Sequence, residues 1–166
     1  MKILITGPES TGKTTLATQL SEQFSINLLP DYSRIYLEKY GPDYAYDDIL
    51  LMAKEHHALL HSVSPKEDII LDSYMLNYQI WSEYKYNTCD SWILDQVKMM
   101  DMDYIFLLYP DIMWEPDPLR ESKEEREILF DIYNQKLTQL KIGFHIIKGE
   151  KAQRIKAVNE MLFNGI

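Results

Sequence analysis

Residues Gly7-Pro8-Glu9-Ser10-Thr11-Gly12-Lys13-Thr14 satisfy the pattern G-x-x-x-x-G-K-[ST], directly after the apolar run KILIT (2–6) and directly before helical spacing from Thr14 to Phe24. Strand, glycine-bounded loop and helix in that order leave few folds open, because such a loop works only where a buried strand delivers it to a helix N-terminus. Gly7 and Gly12 allow backbone angles and close approaches that a Cβ forbids, so successive amide N–H groups can converge on phosphate oxygens. The Lys13 ammonium then reaches the β- and γ-phosphates, and the Thr14 hydroxyl ligates the Mg2+ that bridges them. The helix N-terminus adds its partial positive charge. Gly7, Pro8, Glu9, Ser10, Thr11, Gly12, Lys13, Thr14 and Thr15 are therefore read as a cradle for a nucleoside triphosphate with Mg2+, the loop itself leaving ATP and GTP both open.

The remaining chain alternates short β-type runs with helical stretches. INLLP (26–30), DIILD (68–72), DYIFLLY (103–109) and FHIIK (144–148) are nearly continuous in apolar character. That pattern suits a parallel sheet covered by helices on both faces, an α/β fold. The spacing predicts helices over Thr14–Phe24, Asp47–Val63, Tyr74–Tyr86, Ser91–Met100, Ser122–Leu140 and Glu150–Phe163. One domain over residues 1–166 is expected, since no linker, repeat or low-complexity segment interrupts it. The densest punctuation is YPDIMWEPDPLRES (109–122), with three prolines, read as a functional excursion that leaves a strand end and forms a lid at about residues 111–126.

Composition removes several partners. Seventeen basic against 26 acidic residues give a net charge of −9, so the global field repels nucleic acid and anionic lipid. No apolar run approaches the roughly 18 residues that span a bilayer, and the opening residues lack the succession of a signal peptide. With one Cys, Cys89, no internal disulfide can form. The expected setting is the cytoplasm and the expected partner a small molecule.

Asp72 closes the buried run IILD and is the candidate that completes the magnesium shell with Thr14, its alternative being a helix cap. Asp111 ranks second. Asp31, after the second strand, is the candidate general base for an acceptor hydroxyl, or else an N-cap. Arg34, one helical turn later, suits an anionic group or holds Asp31, while Tyr32 and Tyr36 suit stacking on a planar ring or packing in the core. Arg120 and Arg126 suit the charge that develops between β- and γ-phosphates, although Arg126 also fits a solvated helix face. His57 and His61 have the i, i+4 spacing of a metal pair but lack the Glu of H-E-x-x-H, and His56 and His57 are weaker candidates for acceptor contact. A guanine-reading N-K-x-D element is missing, and ring-forming ATPases need a longer module with a helical lid domain. A compact small-molecule kinase remains, the alternative being a regulatory nucleotide-binding protein whose lid signals occupancy to a protein partner.

GPESTGKTT, D-Y-x-R-x-Y at Asp31 to Tyr36, IILD, and W-E-x-D-x-L-R at Trp114 to Arg120 together resemble the ribosylnicotinamide kinase domain of NadR-type proteins of NAD biosynthesis. In order and spacing the resemblance covers nearly the entire chain. It implies a five-stranded parallel sheet of order 2-3-1-4-5 with an Arg-bearing lid, and phosphorylation of the 5′-hydroxyl of nicotinamide riboside by ATP and Mg2+. It implies further that Asp31 and Asp72 take the acidic positions after the second and third strands, Arg120 and Arg126 the lid, and Tyr32 and Tyr36 the nucleoside site. The best-known relatives carry an adenylyltransferase before this domain, whereas this chain opens on the kinase's own first strand, so adenylyl transfer is not expected. If the cradle reading is right, Lys13→Ala removes the one full positive charge of the loop. Its affinity for ATP should fall by about tenfold or more, as measured by isothermal titration.

Overall fold

The computed structural model describes residues 1–119 and 123–163; Arg120 and Ser122, both read above as part of the lid region, lie outside them. Five strands form one parallel sheet: β1 (Lys2–Thr6), β2 (Asn27–Leu29), β3 (Ile69–Asp72), β4 (Tyr104–Leu108) and β5 (His145–Ile147), in the order β2-β3-β1-β4-β5. The order is the one the resemblance implies. The central strand β1 is paired on both sides, Ile3 lying opposite Ile70 of β3 and Tyr104 of β4. From β1 the chain runs first to the edge strand β2, returns through β3, and then crosses to β4 and β5 on the other side; the crevice at such a reversal, outside the strand C-termini, is where open α/β sheets hold ligands.

The helices are α1 (Lys13–Phe24), α2 (Tyr32–Tyr40), α3 (Tyr46–Ser62), α4 (Met75–Tyr86), α5 (Ser91–Lys98), α6 (Arg126–Gln139) and α7 (Lys151–Phe163). Side chains alternate across the pleat. Ile3, Ile5, Ile70, Phe106, Leu108 and Ile147 pack under α1 and α7. Leu4, Leu29, Ile69, Leu71, Ile105 and Leu107 pack under α3 to α6. No helix among the described residues is long and apolar enough to cross a membrane.

Element ends differ from the sequence reading for local reasons. β2 stops at Leu29 because Pro30 has no N–H for a ladder bond. The expected helix from Ser122 begins instead with a 3₁₀ turn, Lys123–Glu125, before α6 takes over at Arg126. α5 ends at Lys98, where the Met99 N–H turns back to the carbonyls of Asp95 and Val97.

Gly7 fixes how tightly the loop after β1 joins the sheet. Its φ is +136°, and a Cβ there would stand 2.9 Å from the Leu108 carbonyl oxygen at the end of β4. Both the backbone angle and the backbone contact exclude a side chain. Gly7→Ala should therefore lower unfolding stability by about 1–3 kcal/mol in chemical denaturation, a larger loss than Gly143→Ala, where nothing lies within 4 Å.

Candidate active site

The loop leaving β1 closes on itself through one carbonyl. Pro8 O accepts the Thr11 hydroxyl at 2.8 Å and the Lys13 ammonium at 2.7 Å. Ser10 holds the left-handed φ of 53° and Gly12 a φ of 76°. Gly12 caps α1 without a side chain, and the first helical bond runs from Leu16 N–H to Gly12 O. The amides of the first helical turn, Thr14 and Thr15 among them, thus lack intrahelical acceptors and present the positive end of the helix dipole.

Facing this turn, β3 ends on Asp72, which is 2% exposed. The Thr14 hydroxyl donates to Asp72 Oδ2 at 2.5 Å, and Asp72 Oδ1 has no hydrogen-bond partner among the described residues. An orphaned buried carboxylate oxygen is costly unless something arrives to pair with it. Burial, reinforced by the negative charge of Asp31, pushes the Asp72 carboxyl up to about 6. A carboxylate and a hydroxyl side by side are the oxygen donors a hard cation takes, so these residues fit Mg2+.

A cleft of about 570 Å³ opens over the loop, large enough for a nucleotide and a small acceptor. Every residue from Gly7 to Thr15 lines it, as do Asp31, Arg34 and Asp72. Asp31 is the N-cap of α2: its Oδ1 accepts the Ser33 N–H at 3.0 Å and the Ser33 hydroxyl at 2.5 Å. Asp31 thus caps α2 and lines the cleft at once. Arg34 donates from Nε to Glu38 at 2.9 Å and from Nη1 to Asp117 at 2.8 Å, tying α2 to the Pro-rich excursion. Its guanidinium is held protonated chiefly by Asp117. The excursion is also fastened to the loop, through Glu115 N–H to Ser10 Oγ at 2.9 Å. Arg126, the first residue of α6, does not lie on a solvated helix face alone. Its Nη1 donates to Ser10 O at 3.1 Å and Ile112 O at 3.0 Å, with the guanidinium over the Trp114 ring.

Other candidates sit elsewhere. Tyr32 and Tyr36 are not among the cleft-lining residues. Tyr36 donates its hydroxyl to Asp48 at 2.8 Å and packs on Tyr40, and Tyr32 packs beside the buried His56, because α2 turns that side toward α3. Asp111 uses one carboxylate oxygen for Arg154 and the other for the Gly149 N–H, at 2.7 Å, so it is taken out of the magnesium role. His56 is wholly buried with Nδ1 on the Tyr78 hydroxyl, burial pulling it down to about 4, and His57 engages the Tyr74 hydroxyl. The His57 and His61 rings lie tilted by 40° with centroids 4.0 Å apart, and no group of three or more His, Cys, Asp or Glu placed to hold a metal occurs among the described residues.

Sequence reasoning does not single out several residues that line the cleft. Trp81 and Asn77 of α4, Tyr133 of α6 and Arg154 of α7 line the cleft. Trp81 reads as core, and it does stack on Tyr44 at 5.9 Å, yet part of it faces the cavity. The Asn77 amide oxygen accepts the Thr6 hydroxyl at 2.8 Å, a contact between residues 71 positions apart that no local pattern announces.

Asp72 generates a prediction for the cation-free protein. Its carboxyl moves from 3.8 in an ordinary setting to about 6 when folded, so the folded state binds the proton more tightly and stability falls as pH rises between those values. Asp72→Asn should remove that slope and make the cation-free chain more stable at pH 8 by about 1–3 kcal/mol. At pH values below about 4 the two should differ little on this account. Urea unfolding in a chelator at several pH values measures both.

Among curated protein sequences none matches the chain. Solved structures that it resembles include the NadR protein in complex with NR, at a TM-score of 0.80 and 18% identity over 99% of this chain and 52% of that one. They include the deoxyadenosine kinase of M. mycoides bound to dCMP and dCDP, at 0.69 and 18%, with 100% of both chains covered. A third is the thymidylate kinase of Ehrlichia chaffeensis, at 0.67 and 18%, over 99% of this chain and 97% of that one. The chain spans about half the length of the NadR protein it matches. The sequence profile that does match, over residues 2–154, is that of the AAA domain, and the chain belongs to that family of P-loop domains.

Proposed function

We propose that this chain is a kinase that transfers the γ-phosphoryl group of ATP, with Mg2+, to a hydroxyl of a small nucleoside, nicotinamide riboside being the leading acceptor. The observation that carries this reading is the placement of two acidic residues in one cleft with the phosphate loop: Asp72 against Thr14, and Asp31 at the start of α2. In this reading Lys13 and the amides of the first turn of α1 hold the triphosphate and stabilise charge on the transferring group. Thr14 and Asp72 would hold Mg2+, which would supply positive charge against the phosphates of the nucleotide. Asp31 accepts the proton of the acceptor hydroxyl as its oxygen bonds to phosphorus and the bond to the β-phosphate oxygen breaks, releasing ADP. Arg126 steadies the loop from the excursion side, and Arg120 is assigned to the same lid.

Arg34 supports an acceptor that carries no phosphate. It is the cation of α2 that would suit such a group, and two carboxylates already engage it. The similar structures carry NR in one case and the deoxynucleotides dCMP and dCDP in another, so both ligands are sugar-bearing small molecules and differ in whether a phosphate is present.

Mass spectrometry of products from ATP paired with nicotinamide riboside, other nucleosides, nucleoside monophosphates and simple alcohols tests the proposal. A phosphorylated nucleoside is expected. ATP hydrolysis with no phosphorylated acceptor would replace this reading with the regulatory one. Asp31→Asn should keep ATP binding and slow transfer by about a hundredfold, whereas unchanged turnover removes Asp31 as the base.

A further inference from the structure

Arg154 is 3% exposed, and its guanidinium spends its donors on four acceptors from three parts of the chain. Nε donates to Gly149 O at 2.6 Å, Nη1 to Thr11 O at 2.6 Å and Nη2 to Tyr109 O at 2.8 Å; Nη2 also meets the carboxylate of Asp111. Asp111 in turn accepts the Gly149 N–H. A buried cation is tolerated only when paired and hydrogen-bonded, and here both conditions hold. Three of the acceptors belong to the chain just beyond β4 and β5. The fourth, Thr11 O, belongs to the phosphate loop.

We propose that Arg154 is a positioning residue for nucleotide binding, acting through the Thr11–Gly12 peptide. A trans peptide is planar, with its C=O and N–H pointing in opposite directions. Drawing the Thr11 carbonyl toward Arg154 therefore turns the Gly12 N–H to the opposite side, away from the guanidinium. That amide is one of the donors on which the loop's grip on phosphate depends. Other contacts of the loop act on neighbouring groups. The Pro8 carbonyl holds the Thr11 side chain and Lys13, while Glu115 and Arg126 hold Ser10. Because Gly12 has no Cβ, the peptide before it would otherwise rotate with little hindrance. Only a rigid fork reaches Thr11 O, Tyr109 O, Gly149 O and Asp111 together; an ammonium cannot reproduce that planar set of donors.

The inference rests on the nucleotide-binding part of the proposed function and not on the acceptor. Titration of the full chain with AMP-PNP and Mg2+ therefore tests it separately, alongside thermal unfolding without ligand. Arg154→Lys should weaken AMP-PNP by about tenfold or more, the size expected when a group that orients a binding donor is lost. Asp111→Asn breaks the same ion pair but leaves the Thr11 contact in place, so it should weaken AMP-PNP by less than about threefold, even where both variants lose similar thermal stability. In turnover, Arg154→Lys should raise the KM for ATP while the KM for the acceptor stays within about twofold. Equal weakening by the two substitutions, or a folded Arg154→Lys with parental affinity, overturns the proposal. If Arg154→Lys does not fold, Arg154→Gln replaces it. If neither folds while Asp111→Asn does, Arg154 is a stability element and the proposal is likewise overturned. A parent chain that binds AMP-PNP yet phosphorylates no acceptor sinks the kinase reading and leaves this inference standing.

Discussion

Everything in this molecule is arranged around a backbone that must show its amides to an anion while being pressed against a β-strand. Gly7 touches the Leu108 carbonyl more closely than any side chain would allow, and the loop then doubles back through Pro8 before α1 begins. Only the C-terminal end of a central, doubly paired strand offers this combination of a rigid base and an open mouth. The sheet order follows, because β3 and β4 must flank β1 if Asp72 and the excursion are to reach the same cleft.

Charge within that cleft is distributed against the global sign. The chain carries a net −9, yet the phosphate end of the cleft holds Lys13, the α1 N-terminus and Arg126 close by. The far side holds Asp31 and an Arg34 already matched by carboxylates. Asp72 lies between the two, buried with one oxygen unpaired. An anionic tail is thereby drawn to one end, and a neutral or cationic group is the better fit at the other.

The strands and most helices were legible because buried parallel strands read as short apolar runs, and the G-x-x-x-x-G-K-T pattern announces its own surroundings. Asp72 was legible for the same reason, since an acidic residue closing IILD has few places to go. Tyr32 and Tyr36 follow the cap Asp31 by one and five residues, positions from which a tyrosine is equally suited to the neighbouring helix, and α3 is what α2 packs on. Asp111 misled because its partner, Arg154, lies 43 residues away on a helix whose pattern shows only one more amphipathic face. Long-range polar contacts such as Thr6 with Asn77 leave no trace in periodicity, and those are the contacts that complete the site.

The Lys13 ammonium is not waiting in solvent. It is lodged on the Pro8 carbonyl, a neutral acceptor worth about half of a charged one. A phosphoryl oxygen offers the ammonium a charge-assisted bond that this amide oxygen does not, and a three-donor ammonium can make that bond while the loop keeps its shape.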